Sequence, residues 1–162
     1  MAESAIGSVR AVPGVVEQIT ISPEPHVLPG PIERVEVVPG QGPRGDRKFA
    51  PKPMKRKGKD LTLIEAEALE ALHAETGIEL SHEESRRNVL TRGIRLNDLV
   101  GRRFKVGEVE CEGVVLNEPC THLEGLTYPG VQDGLENRGG LRANVLRGGT
   151  IAVGDEVTEL PG

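Results

Sequence analysis

Apolar and polar residues alternate over much of this chain, and period-two alternation predicts strands. Residues 15–21, Val-Val-Glu-Gln-Ile-Thr-Ile, read as a first strand closed by Ser22-Pro23-Glu24-Pro25. Residues 32–38 read as a second, with Val35 and Val37 on one face and Arg34 and Glu36 on the other. Residues 39–46 are rich in turn formers, and 48–59, broken by Pro51, Pro53 and Gly58, are expected to form a long mobile excursion. The spacing then changes. Thr62-Leu63-Ile64-Glu65 has the form of a capping box, with Thr62 as N-cap and Glu65 at N3. Ile64, Ala68, Ala71 and Leu72 follow at helical intervals, and Gly77 supplies a stop. One main helix is expected there. Extended structure returns at 88–91 and at 141–146, the latter ended by Arg147-Gly148-Gly149. Residues 104–111 and 151–158 share one pattern: strand, Val-Gly-acid turn, strand. Seven or eight short strands with one main helix imply a mostly β (α+β), barrel-like fold forming one domain over 1–162.

Composition sharpens this slightly. The 162 residues include 21 Gly and 12 Pro, a turn-rich make-up that disfavours a helical bundle. With Phe49, Phe104 and Tyr128 as the whole aromatic complement, base-stacking platforms are excluded, and no nucleic-acid motif is present. No apolar run reaches transmembrane length, and the first 16 residues lack a signal-peptide pattern. Two cysteines are too few for a disulfide scaffold, so the expectation is a soluble, cytoplasmic protein with free thiols and no membrane partner.

Charge changes the picture more. The net charge is −5, yet residues 44–59 hold eight cations against Asp46 alone, a local +7 that leaves −12 on the rest. Further arginines stand at 86, 87, 92, 95, 138, 142 and 147. The Lys55–Lys59 stretch reads either as a solvated loop or as part of an anion site, because cationic forks match phosphate and carboxylate oxygens.

The two thiols differ. Cys111, in Val109-Glu110-Cys111-Glu112, shares a strand face with Val109 and reads as core. Cys120 follows Asn117-Glu118-Pro119, and Pro119 should end the preceding strand, leaving Cys120 on an accessible loop. His122 could help hold a thiolate, whereas Glu118 and Glu124 oppose one. A reactive Cys120 therefore needs cations from elsewhere in the fold, and spacing alone leaves an inert loop cysteine equally open. Zinc is not expected: Cys111, Cys120 and His122 with His73 or His82 would supply four ligands, but there is no Cys-x-x-Cys and Cys111 faces the core. Cysteine-protease chemistry lacks an established base and orienting residue. His26, His73 and His82 read as surface residues.

These pieces, in order, resemble a known family. Gly45-Asp46-Arg47, the helix near Thr62–Leu72, Arg86-Arg87-Asn88-Val89, Gly101-Arg102-Arg103-Phe104-Lys105-Val106-Gly107, Glu118-Pro119-Cys120-Thr121-His122-Leu123, Arg138-Gly139-Gly140-Leu141-Arg142-Ala143 and Val153-Gly154-Asp155 resemble the MOSC domain, named for the C-terminal region of molybdenum cofactor sulfurases. The resemblance spans roughly 15–157. It implies a barrel-cored β fold in which Cys120 carries a persulfide sulfur or ligates molybdenum. It also implies that Arg47, Arg86 and Asn88, with Arg142 in the matched late segment, bind the molybdenum cofactor (molybdopterin). By analogy with some members, a molybdenum-dependent oxidoreductase of N-hydroxylated compounds is an alternative. A plain barrel-type interaction domain is another. Some relatives place a second cysteine where this chain has Asn117, so a vicinal dithiol is not expected. Neither a fused sulfurase domain with its pyridoxal lysine nor a fused electron-transfer domain is expected. Sulfur or electrons are therefore expected in trans, from a cysteine desulfurase or an electron-transfer protein.

Overall fold

Seven strands close into a ring because each presents an apolar face to a shared interior. The computed structural model describes residues 13–25 and 27–161, so His26 lies outside the described residues. The ring runs β1 (Gly14–Ile21), β11 (Glu156–Glu159), β7 (Arg103–Val106), β8 (Val109–Leu116), β9 (Leu141–Arg147), β5 (Leu61–Glu65), β6 (Val89–Arg92) and back to β1. Closure leaves no free edge within the ring. Val16, Ile19, Leu61, Leu63, Val89, Phe104, Val106, Cys111, Leu141 and Val157 fill the interior. β2 (Gly30–Ile32) pairs with β1 outside the ring. β3 (Arg34–Val38), β4 (Gly42–Pro43) and β10 (Gly149–Ala152) form a small separate sheet whose Val35, Val37 and Ile151 join the barrel core. The alternation expected over 32–38 therefore belongs to two strands that part at Glu33.

The repeated Val-Gly-acid pattern has two outcomes. β7 and β8 form a true hairpin. β10 and β11 diverge instead, β10 pairing with β3 and β11 with β7 and β1. A local pattern fixes the turn but cannot choose the strands' partners.

The expected capping box is corrected. Thr62 to Glu65 are strand, and α1 (Ala66–Thr76) starts one residue later, with Glu65 as an N-cap that makes no side-chain bond. Leu61, Leu63 and Ile64 are fully enclosed, so barrel packing overrides the local helix signal. The expected stop is found: Gly77 adopts φ 79° and its N–H bonds the His73 carbonyl. A complete capping box stands further on, with Ser81 and Glu84 opening α2 (His82–Ser85). β5 and β6 run parallel, which requires a crossover, and α1 with α2 provides it. α3 (Thr121–Leu126) and α4 (Val131–Gly134) complete the helices.

A second apolar cluster outside the barrel joins Leu72 of α1, Leu80, Leu123 of α3, and Val131 and Leu135 at α4. It seats α3, and with it Cys120, on the crossover helix. The reading of His82 as a surface residue is also corrected: it is 4% exposed, wedged beneath α2 with Nδ1 2.9 Å from the Gln18 side-chain oxygen. His73 is exposed.

Candidate functional site

Cys120 follows the end of β8, Arg142 lies at the start of β9, and Arg86 and Asn88 precede β6. The registers link these strand ends through the middle of β5: Leu116 pairs with Leu141, Leu141 with Leu63, and Leu63 with Val89. The chain leaves β8 through Asn117-Glu118-Pro119, and Cys120 becomes the N-cap of α3 with extended backbone and no side-chain capping bond. Its thiol is exposed, whereas that of Cys111 is buried and pushed up to about 12 by desolvation, with Asp60 and Glu110 adding to the shift. The two carboxylates flanking Cys120 are turned elsewhere. Glu118 accepts from the Asn137 N–H, and Glu124 from the N–H groups of Gly130 and Gln132. His122 is exposed.

The cation that anchors this segment is Arg87. Its guanidinium is buried and donates to three backbone carbonyls: Gly139 at 2.9 Å, Ser85 at 3.1 Å and Asn117 at 2.9 Å. It thereby ties together the α2 turn, the Cys120 segment and the approach to β9. Gly139 makes this crossing possible: a Cβ there would lie 2.5 Å from the Asn117 carbonyl oxygen. Desolvation pulls the Arg87 pKa down to about 10, the nearby Arg142 charge pulls the same way, and Cys120 opposes them. Arg87 thus stays charged at neutral pH, close to one like charge and to the thiol. The sequence reading passed over Arg87 in favour of its neighbours. A usable signal was there, because Arg87 shares strand parity with the buried Val89 and Thr91.

Arg142 sits exposed on β9, with Nε donating to the Asn117 side-chain oxygen at 3.1 Å. Asn117, buried and unremarked beyond its being a non-cysteine, is therefore the hinge between the two arginines: its carbonyl holds Arg87 and its amide oxygen holds Arg142. Asn88 immediately precedes β6, and its side chain is occupied, accepting from the Thr62 hydroxyl and N–H and donating to the Thr20 carbonyl. Arg86 is the left-handed C-cap of α2 at φ 62°, with its guanidinium 3.5 Å from the Val27 carbonyl. Arg47 is exposed, fixed at its backbone by the Ser22 carbonyl, and its side chain makes no ion pair among the described residues. Asp46 beside it accepts from the Ser22 and Lys48 N–H groups and so shapes the turn.

The donor set can be tested against the group the family suggests. An exposed soft thiol, on a segment gripped by the Arg87 guanidinium and with its neighbouring carboxylates turned away, fits an anionic, sulfur- or molybdenum-bearing ligand. Among the described residues, no group of three or more His, Cys, Asp or Glu side chains could hold a metal ion unaided. No helix among them is long and apolar enough to cross a membrane.

Fold and site together define a closed β-barrel protein with one exposed thiol just beyond β8, on a segment held by two arginines. The family model of the MOSC domain matches residues 46–158, and the chain belongs to that family. Solved structures share the fold. The YuaD protein of Bacillus subtilis superposes with a TM-score of 0.75 at 16% identity, covering 90% of this chain and 94% of that one. YiiM from Geobacillus stearothermophilus gives 0.72 at 15%, covering 92% and 76%, and YiiM from Escherichia coli gives 0.64 at 14%, covering 91% and 70%. Comparison with curated protein sequences finds no match.

Proposed function

We propose that this MOSC protein handles sulfur or the molybdenum cofactor through Cys120, with Arg87 and Arg142 receiving the negative charge. One observation carries the reading: Asn117, three residues before the exposed Cys120 thiol, is held by buried Arg87 through its carbonyl and by Arg142 through its amide oxygen, so two guanidiniums converge on the Cys120 segment. Two like charges held close favour a bound anion.

As a sulfur carrier, the Cys120 thiolate attacks the outer sulfur of a donor persulfide. The donor's S–S bond breaks, its thiolate leaves and takes up a proton, and the new S–S bond stands on Cys120. No net oxidation occurs, so no further reactant is needed. The donor is a protein of cysteine desulfurase type. If molybdopterin is held, Cys120 would supply the thiolate ligand, and Arg142, Arg87 and the exposed Arg47 would attract its phosphate. When bound, that cofactor supplies two-electron redox chemistry. Asn88 would act there through its grip on Thr62, because its amide is already engaged.

Intact-mass measurement after incubation with a cysteine desulfurase and free cysteine tests the reading. The wild type should gain the mass of one or more sulfur atoms and Cys120→Ser should gain none; equal labelling of both would sink the assignment. Molybdenum and pterin analysis of protein from a cofactor-competent host separates carrier from holder.

A further inference from the structure

The four lysines of residues 52–59 have no part in the arginine cluster, yet the fold fixes the end of their loop against Arg142. Lys52, Lys55, Lys57 and Lys59 are all exposed, and none makes an ion pair among the described residues. The other basic residues of the segment include two that are paired, Arg44 with Glu36 at 2.8 Å and Arg56 with Asp60 at 3.1 Å. The loop has no regular structure but is fastened along its length. Met54 N–H bonds the Gly40 carbonyl, and Gly58 N–H bonds the Asn144 side-chain oxygen at 2.7 Å. Buried Asp60 collects the N–H groups of Gly40 and Val145 as well as Arg56.

Gly58 rests against the β8–β9 pair of the barrel wall. At φ 71° it lies so close that a Cβ would stand 3.2 Å from Arg142 Cβ and 3.3 Å from Val114 Cβ. Lys57 and Lys59 therefore flank the point where Arg142 leaves the barrel wall. Met54, 48% exposed, adds an apolar contact on the same loop, and Val115, opposite Arg142 in the β8–β9 ladder, is equally exposed.

We propose that the fastened loop is a docking surface for an acidic segment of a partner protein, seated so that the partner's reacting group meets Cys120. Four solvated, spread cations suit an extended surface better than a small anion, which needs convergent donors. Nucleic acid is disfavoured: Phe104 is buried and Phe49 lies under Arg44, so Tyr128 alone is an exposed ring, too few for a stacking platform. A membrane is disfavoured because the remainder of the chain carries −12. The proposal rests on the Cys120 reading only for what the partner delivers.

The test uses a fluorescein-labelled peptide of Asp and Glu with interspersed Leu, a thymidine oligonucleotide of equal charge, and phosphatidylserine vesicles. The peptide should bind in a salt-sensitive way and slow alkylation of Cys120 by iodoacetamide. Joint replacement of Lys52, Lys55, Lys57 and Lys59 by Gln should weaken binding at least about tenfold and remove that protection. Its circular dichroism and melting should match the wild type, and Lys57→Glu with Lys59→Glu provides a second, smaller variant that should weaken binding too. Absence of peptide binding, unchanged binding in both variants, or tighter binding of the oligonucleotide or vesicles would overturn the proposal. Cys120→Ser should still bind the peptide. If wild-type Cys120 takes no sulfur from a small persulfide donor while peptide binding persists, the sulfur reading fails and the docking surface stands.

Discussion

Arg87 shows how one residue can be both scaffold and chemistry. Burying a guanidinium is unfavourable unless its N–H groups are all spoken for, and here three segments supply carbonyls in the plane of the fork. Arg87→Met leaves those carbonyls unpaired in a buried place and should destabilise the fold by about 3 kcal/mol, read by urea unfolding. Arg87→Lys keeps the charge but cannot span three acceptors, so it should recover only part of that stability. The two arginines together make a different prediction. Inorganic phosphate should raise the melting temperature of the wild type, because an anion bound only by the folded state stabilises it. Arg142→Gln should lose most of that increment while leaving the phosphate-free melting temperature almost unchanged, since Arg142 is exposed and makes one side-chain bond. An undiminished increment in Arg142→Gln would remove Arg142 from the anion site.

Elements were legible where one face of a strand is apolar, and less so where tertiary packing decides. The alternation around Val35 and Val37, the β7–β8 hairpin and the Gly77 stop are all readable from neighbours in sequence. Thr62 was not, because Thr-x-x-Glu has the same spacing whether or not a helix starts there. Its hydroxyl instead exchanges hydrogen bonds with Asn88 across the parallel β5–β6 pair, accepting from the Asn88 N–H at 2.9 Å. The same limit hid Arg87 and Asn117, whose roles depend on a meeting between residues 30 apart in sequence. Thr62→Val should therefore cost about 1–2 kcal/mol by stranding the Asn88 N–H, with the helical circular dichroism signal unchanged. Ser81→Ala removes a real cap and should cost about 1 kcal/mol. Amide hydrogen exchange separates them: protection should fall at Asn88 in the first variant and at Glu84 in the second. Loss of helix signal in Thr62→Val would restore the N-cap reading.

At the scale of the whole molecule, stability depends on closing the barrel and on keeping its buried polar groups neutral or paired. β1 closes the ring against β11 and also lies against α2, where His82 is enclosed between Gln18 and the turn leading to Arg87. Desolvation pulls the His82 pKa down from 6.5 to about 4, against smaller opposing effects of the Arg87 backbone and Glu83. The imidazole is thus neutral in the fold at pH values where the unfolded chain already binds a proton. Stability from this group is complete above about pH 6.5 and falls as the pH drops toward about 4, the unfolded state holding more protons throughout that window. Between about pH 7 and about pH 5 the loss should be about 2 kcal/mol. Urea unfolding at both pH values reads it. His82→Gln, which carries no titrating group, should be flatter than the wild type over this interval by the same amount. Equal acid sensitivity in the two proteins would assign it to the carboxylates, and a His82 ring that titrates near 6.5 by NMR would show that the pocket beneath α2 admits the charged form.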